Sequence, residues 1–346
     1  MSCILITGGS GFIGTNLAYR LLSAGHSVYV FDNLSRRNVV HNLSWLMRIT
    51  SDRALIEIAD VRDRAALRRV VKDCDHVFHL AAQVAVTSSI QDPKTDHEVN
   101  VAGTLNLLEE IRSAPTPPSL IFTSTNKVYG GLEHLPLEVR GRRYVRTDAG
   151  HAGLSEATPL DFHSPHGCSK GAAEQYVLDY HRTYGIRTTV FRMSCIYGPH
   201  QFGIEDQGWV AHIMARAMAG KSITIYGNGC QVRDLLFVDD LVDALLVARE
   251  NIDLIAGQAF NIGGGPENTI SLLELIEQLH EFNVRPELVF SAWRIGDQKY
   301  YVSDTRKFQT ATGWVPRTSL KAGLRALHHW LLEAQAAPES LVRQAS

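Results

Sequence analysis

Cys3-Ile4-Leu5-Ile6-Thr7-Gly8-Gly9-Ser10-Gly11-Phe12-Ile13-Gly14 is the stretch whose reading decides the fold. An apolar run that ends in glycines and turns helical at Thr15-Asn16-Leu17-Ala18 reads as a strand, a tight turn and a helix N-terminus. Such a turn binds phosphate. The first N–H groups of the helix lack partners, the positive end of the dipole faces the turn, and residues without Cβ let a pyrophosphate approach the backbone. In this reading Gly8 makes the turn, Gly11 lies under the pyrophosphate, and Gly14 lets the helix pack close to the strand. The alternative is a purely structural glycine turn. What separates the two is the next apolar run, Ser27–Phe31, which ends in Asp32 about 20 residues on, where a carboxylate accepts bonds from an adenosine ribose. Asp32 also repels a 2′-phosphate, which favours NAD over NADP. Arg36 and Arg37 pull mildly the other way, because arginine accommodates that phosphate, or they are solvated loop charges.

A chain of 346 residues with 45% hydrophobic content can bury one large core or two fused lobes, and two lobes are expected. The formal net charge of −2 provides no basic footprint for nucleic acid and no polybasic membrane surface. No apolar stretch approaches the ~20 residues of a membrane span, and the N-terminus enters the first strand at once, so a cytoplasmic protein is expected. Five scattered cysteines with no CxxC spacing argue against disulfides. His163, His166 and Cys168 match no zinc spacing, and no metal is expected.

Outward from the glycine turn, strand-like runs alternate with helix-like segments through two thirds of the chain, the pattern of a doubly wound parallel sheet. A helix near Val39–Ile49 precedes a strand at Ala54–Ile58, which is followed by Asp60. A helix over about Arg64–Lys72 leads to the strand His76–Leu80, whose end, Ala81-Ala82-Gln83, is small enough to leave room for a cofactor or to seat a helix tightly. A long helix is expected over about Lys94–Arg112, with Asn100 as a polar exception, and a strand at Leu120–Phe122 runs into Thr123-Ser124-Thr125-Asn126. Residues Gly130–Pro165 read as a long active-site loop. A helix over Ser169–Tyr184 carries Lys170 in its first turns, and Thr188–Arg192 is a further strand. Beyond it the alternation breaks down. The spacing gives a helix near Val210–Ala219, a strand Ser222–Tyr226, a polar turn Gly227–Asp234, a helix near Asp240–Glu250, a strand Ala259–Ile262, and helices near Leu272–Glu281 and Leu320–Leu332. The expected class is therefore α/β, a Rossmann doubly wound parallel sheet over residues 1–195 with a smaller C-terminal α/β substrate lobe over 196–346, some of whose strands or helices return to the first domain.

With its Thr7–Gly14 turn, the Asp32-Asn33-Leu34-Ser35-Arg36 loop, Ser124-Thr125-Asn126-Lys127-Val128-Tyr129-Gly130 and the Ser169-Lys170 helix, the chain resembles the extended short-chain dehydrogenase/reductases over nearly its whole length. Within them it looks most like the CDP-tyvelose (CDP-paratose) 2-epimerases, on Asn42-Leu43-Ser44-Trp45-Leu46, Leu160-Asp161-Phe162-His163-Ser164-Pro165, Gly167-Cys168-Ser169-Lys170-Gly171-Ala172-Ala173 and Asp206-Gln207-Gly208-Trp209-Val210.

The resemblance implies a tightly held NAD, a nucleotide-diphosphate sugar (a CDP-sugar favoured) between the lobes, and epimerisation through a transient ketone with return of the same hydride. It implies a homodimer paired through the Lys94–Arg112 and Ser169–Tyr184 helices. Lys170 matches the family lysine, which supports the base and holds the ribose, and Thr125 matches the hydroxyl that bonds the reacting oxygen. The family tyrosine is absent: His166 stands in its place. A neutral imidazole can serve as general base, although it is shorter than a phenol. For the cofactor, the resemblance implies Phe12, Ile13, Asn33, Ser35 and Arg36 beside the glycines and Asp32, with Asp60 and Val61 at the adenine. Leu80, Ala81, Ala82, Asn100 and Thr123 would line the crevice. For the substrate it implies Ser124, Asn126, Gln207 and Trp209, the last of which can equally be a core residue, with Arg233 and Arg294 gripping the diphosphate bidentately rather than forming surface salt bridges. Two further readings stay open: a divergent nucleotide-sugar dehydratase, oxidoreductase or 4-epimerase that uses His166 differently, and a nucleotide-sugar-binding protein without turnover.

Overall fold

The computed structural model describes residues 1–36, 38–50, 53–148 and 153–336; Arg37 and residues 149–152 of the expected active-site loop lie outside the described residues. Strands β1 (Cys3–Thr7), β2 (Ser27–Asp32), β3 (Ala54–Ile58), β4 (His76–His79) and β5 (Ser119–Thr125) join Thr188–Met193 and Gln258–Ile262 in one seven-stranded sheet. Its order is Gln258–Ile262, Thr188–Met193, β5, β4, β1, β2, β3, and every neighbouring pair is parallel. Ile4, Leu5 and Ile6 are wholly buried, as a strand covered by helices on both faces must be. Helices α1 (Phe12–Ser23) and α2 (Val39–Ile49) lie on one face; α3 (Arg64–Val71) lies on the other. Chain direction around the sheet reverses between β1 and β4, and this opens a crevice at the carboxyl ends of those strands.

The connections after β4 differ from a single long helix. Short α4 (Val86–Gln91) and α5 (Pro93–His97) are followed by a π-helical turn, Glu98–Ala102, before α6 (Gly103–Ser113). Asp92 starts α5 by accepting from the Thr95 N–H at 3.0 Å, with Pro93 fixed at the first helical position. The π turn coincides with Asn100, whose buried amide is turned inward to hydrogen bonds that a polar group in the interior requires. The segment expected as an unbroken loop contains an antiparallel hairpin, Leu137–Arg140 with Arg143–Arg146. Helix α7 begins at Ser164, five residues before the expected Ser169, and runs to Tyr184, where Gly185 at φ +71° ends it.

After Met193 the chain builds a smaller lobe. Cys195–Tyr197, Thr269–Ser271 and Tyr300–Tyr301 pair with the strand Val232–Phe237, and Ile223–Tyr226 pairs with Leu288–Ser291. Helices α8 (Trp209–Met218) and Leu320–Ala336 close a separate core around Leu235, Ile276 and Leu324. Between these parts, α9 (Val238–Glu250) packs beside α1, and Gln258–Ile262 completes the edge of the large sheet. The expected polar turn Gly227–Asp234 is corrected here: its last residues belong to Val232–Phe237, buried throughout. Its charges are paired inside the protein, which is why a polar sequence is tolerated in a central strand. Asp234 accepts from the hydroxyls of Ser194 and Ser303 and from the Gly265 N–H, and Arg233 is paired with Asp297. No helix among the described residues is long and apolar enough to cross a membrane.

Candidate active site

The glycine turn between β1 and α1 is shaped by close approach. Gly8 has φ +71°, and a Cβ on it would lie 2.8 Å from the Ala81 nitrogen; one on Gly14 would lie 2.3 Å from the Gly8 carbonyl oxygen. Gly11 caps α1 without any side-chain acceptor, so the first N–H groups of the helix remain free for an anion in the cleft, which Gly11, Phe12 and Ile13 line. At the end of β2, Asp32 accepts from the N–H of Leu34 at 2.9 Å and of Ser10 at 3.1 Å, which fixes its carboxylate beside the turn. Burial raises its pKa in spite of those bonds. A glycine cradle without Cβ atoms, an uncapped helix start and an oriented carboxylate fit a dinucleotide with a free ribose.

Farther along this rim, Asn33 donates to Asp60 at 2.7 Å and accepts from the Ser35 N–H at 3.1 Å. Arg62 grips both oxygens of Asp60 at 2.9 Å, and these bonds hold its carboxyl down to about 2. Val61 is buried in the core against Gly103, so its side chain faces away from the cleft. Arg36 crosses from the loop after β2 to donate to the side-chain carbonyl of Gln207 in the smaller lobe. The two residues stand on opposite walls of a cleft of about 440 Å³.

The crevice floor is made by strand ends. Leu80, Ala82 and Thr123 line it, with the Thr123 hydroxyl donating to the His79 carbonyl at 3.1 Å. Ala81 is spent on the close approach to Gly8. Asn100, expected in the crevice, is 1% exposed and outside the lining. Its amide donates to the Gln83 carbonyl at 3.1 Å, Asp96 at 3.2 Å and Ser169 at 3.0 Å, and it accepts from the Gln83 N–H at 2.9 Å. It braces the crevice wall against α7 rather than facing a ligand.

Thr125, His166 and Lys170 meet in the cleft. The Thr125 hydroxyl accepts from the Lys127 N–H at 3.2 Å and donates weakly to Asn126 at 3.4 Å, so it can still turn to a ligand. Ser124 is committed elsewhere, donating at 2.7 Å to Glu174, which is clamped by Arg192. The Asn126 amide donates to the side chain of Gln298 at 3.4 Å. Lys170 lies with its ammonium 4.0 Å from the centre of the Phe122 ring, and burial lowers its pKa to about 7. His166 is 5% exposed, and burial lowers its pKa, so the imidazole is neutral at neutral pH.

Arg233 and Arg294 also line the cleft. Arg233 donates to Asp297 and to the Val232 carbonyl, both at 2.8 Å. Arg294 lies 3.8 Å over the Tyr226 ring, with Glu205 and Asp206 each 3.4 Å from its guanidinium. Trp209, first residue of α8, lines the cleft while its indole N–H points to the Cys195 sulfur at 3.4 Å.

Two residues, Lys127 on the cleft wall and Asp96 behind it, are not singled out by the sequence. Lys127, inside a quoted motif, is buried with its ammonium 3.0 Å from the Gly296 carbonyl, and burial lowers its pKa to about 8. Asp96, wholly buried, lies 3.8 Å from the His166 ring. Lys127 is a lone charge in a segment of small and polar residues, whereas Asp96 stands among Asp92, Lys94 and Glu98, where nothing marks it out.

Comparison with known proteins adds to this geometry. The model of the NAD dependent epimerase/dehydratase family matches residues 4–263. The CDP-paratose 2-epimerase of Salmonella typhi is 44% identical over 335 residues, which cover 94% of this chain and 98% of that protein. The putative UDP-glucose 4-epimerase of Methanocaldococcus jannaschii is 30% identical, covering 95% of this chain and 98% of that one. Among solved structures, the UDP-glucose 4-epimerase of Thermotoga maritima with UDP-glucose superposes with a TM-score of 0.82 at 30% identity, covering 96% of this chain and 99% of that one. The UDP-glucuronic acid 4-epimerase of Bacillus cereus, solved with UDP-glucuronic acid and NAD, superposes with a TM-score of 0.82 at 27% identity over 96% and 99% of the two chains.

Proposed function

Since the chain belongs to the NAD dependent epimerase/dehydratase family, we propose that it is a nucleotide-sugar epimerase inverting C2 of a CDP-hexose, with NAD as its cofactor. The observation that carries the choice of sugar carbon and base is the 44% identity to a CDP-paratose 2-epimerase across 94% of the chain. The dinucleotide site is the Gly8–Gly14 turn with Asp32 and its neighbours Asn33, Ser35 and Arg36, and with Asp60 and the backbone, not the buried side chain, of Val61 at the adenine end. Bound there, NAD supplies a reversible hydride acceptor, through which a sugar carbinol becomes a ketone and is restored.

This chain's own residues do the rest. Lys170 would hold the cofactor ribose, and Thr125 bonds the reacting sugar oxygen. His166, neutral at working pH, takes the hydroxyl proton as the carbinol is oxidised and returns it once the ketone has presented its other face. The proton account closes on His166, so net chemistry is inversion alone. Arg233 and Arg294 hold the diphosphate, since both line the cleft and a guanidinium binds phosphate oxygens in pairs. Gln207 and Trp209 contact the sugar or the base, and Ser124 and Asn126 shape the wall behind it. The protein acts as a homodimer through α6 and α7, where Tyr176 and Tyr184 are 45% and 51% exposed. Light scattering that returns a monomer mass would remove that part.

The test of the main reading is incubation of the purified protein with CDP-, UDP-, GDP- and dTDP-hexoses, with products identified by NMR. A C2 epimer of a CDP-sugar without net NADH is the expected product. A dehydrated sugar, a C4 epimer or an oxidised sugar would replace the reading, and tight binding without turnover would reduce the protein to a binder.

A further inference from the structure

His166 and Asp96 each carry an enclosed polar atom with nothing bonded to it. On His166 it is Nδ1, and on Asp96 it is Oδ2. Asp96 is 0% exposed, and its other oxygen, which accepts from the Asn100 amide at 3.2 Å, lies 3.8 Å from that same Nδ1. A buried carboxylate oxygen and a buried ring nitrogen without partners are each costly, and at 3.8 Å from the nearer carboxylate oxygen the ring nitrogen is less than one ångström beyond hydrogen-bond reach of Asp96. The backbones around them are tied down: α5 by its Asp92 cap, and His166 by its N–H to the Ser89 hydroxyl at 3.2 Å. Closing the gap therefore needs only side-chain rotation. With Nδ1 enclosed against α5, Nε2 is the nitrogen left for the cleft that His166 lines.

We propose that Asp96 is the positioning residue of His166: it accepts the Nδ1 proton, which fixes the tautomer whose bare Nε2 faces the sugar, and it stabilises the imidazolium formed when Nε2 takes the hydroxyl proton. The inference rests on the reading of His166 as base. A phenol and an imidazole ask opposite things of their surroundings. A phenol gives up its proton beside a cation, whereas an imidazole accepts one beside an anion. The charged groups facing His166 are Lys170 from its own helix, Lys127 from the turn after β5 and Asp96 from α5. Both lysines and burial oppose protonation, and Asp96 alone favours it. Without that carboxylate, His166 would sit among cations as a poor acceptor with no fixed tautomer.

The experiment is ¹⁵N NMR of the full-length protein labelled at histidine, with the His166 signal assigned by its loss in His166→Phe. The wild type is expected to carry its proton on Nδ1 and to titrate below the usual histidine range. Asp96→Asn should lower that midpoint by a further one to two pH units. The acid limb of the epimerisation rate should move the same way, while Asp96→Glu restores part of both. A wild-type proton on Nε2, which needs no variant to fold, overturns the pairing; so does an unchanged midpoint in Asp96→Asn. Full epimerase activity in His166→Phe would instead overturn the base on which the inference rests, so the two failures are separable.

Discussion

Arg233 donates to the Asp297 carboxylate at 2.8 Å from within a buried strand, so its guanidinium is already fixed before any ligand arrives. Pre-fixing removes much of the entropy that a free arginine would lose on gripping a diphosphate in the cleft that Arg233 lines. Arg294 is held differently, by a ring and two carboxylates that a ligand must share or displace. Arg233→Ala and Arg294→Ala are each expected to weaken nucleotide-sugar binding, with loss of charge-assisted bonds of ~1.5–3 kcal/mol implying a roughly 10- to 150-fold higher Kd. NAD affinity should barely change. Calorimetry with CDP and with NAD checks both, and undiminished CDP binding in the two variants would place the diphosphate elsewhere.

Asp32 sits beside the glycine turn with two backbone N–H groups fixing its carboxylate, the geometry that suits a ribose diol and repels a phosphate in its place. NAD should therefore bind much more tightly than NADP. Asp32→Ala should narrow that gap, chiefly by weakening NAD. A wild-type preference for NADP in the same titration would reverse the assignment.

How much of this was legible in the sequence follows from the range of the interactions. The turn Gly8–Gly14, Asp32 at the end of β2 and Lys170 in α7 are local patterns, each readable from its neighbours. Asn100 was misplaced because its bonds run to Gln83 and to Ser169, and the second of these is a contact between residues far apart in sequence. Val232–Phe237 was hidden because Arg233 and Asp234 look like turn residues until Asp297, Ser194 and Ser303 arrive from other segments to pair them. Asp96 was invisible for the same reason: nothing near it in sequence points to position 166.

Acid should destabilise the protein through two buried histidines in β4. His76 bonds Ser119 at 2.6 Å; His79 bonds Thr7 at 2.6 Å and Thr104 at 2.9 Å, and burial lowers the pKa of each to about 3. A histidine whose pKa is lower folded than unfolded contributes stability above about 6.5 that is lost as pH falls towards 3, because the unfolded chain binds the proton first. Thermal unfolding should therefore show Tm falling through that window. His79→Gln, which can still bond both hydroxyls but does not titrate, should flatten the slope. An equal slope in that variant would assign the acid loss to other groups.

His166, proposed to stand in the place of the family's phenol, sets the last prediction. The imidazole's pKa is lowered by burial, so the wild-type rate should already be on its plateau at neutral pH and fall only below the usual histidine range. His166→Tyr restores the longer reach towards the sugar, and a misplacement near 1 Å is worth about a hundredfold in rate. That variant should turn over faster on the correct sugar. A phenol, with an ordinary pKa near 10, must be ionised by Lys170 and the bound nicotinamide, so its rate should keep rising with pH where the wild type is flat. Initial rates from pH 5 to 9 on both proteins decide this. A wild-type profile that rises through neutrality would contradict a neutral imidazole base. Activity in His166→Tyr beside none in the parent on any sugar would make the parent an epimerase disabled at one side chain.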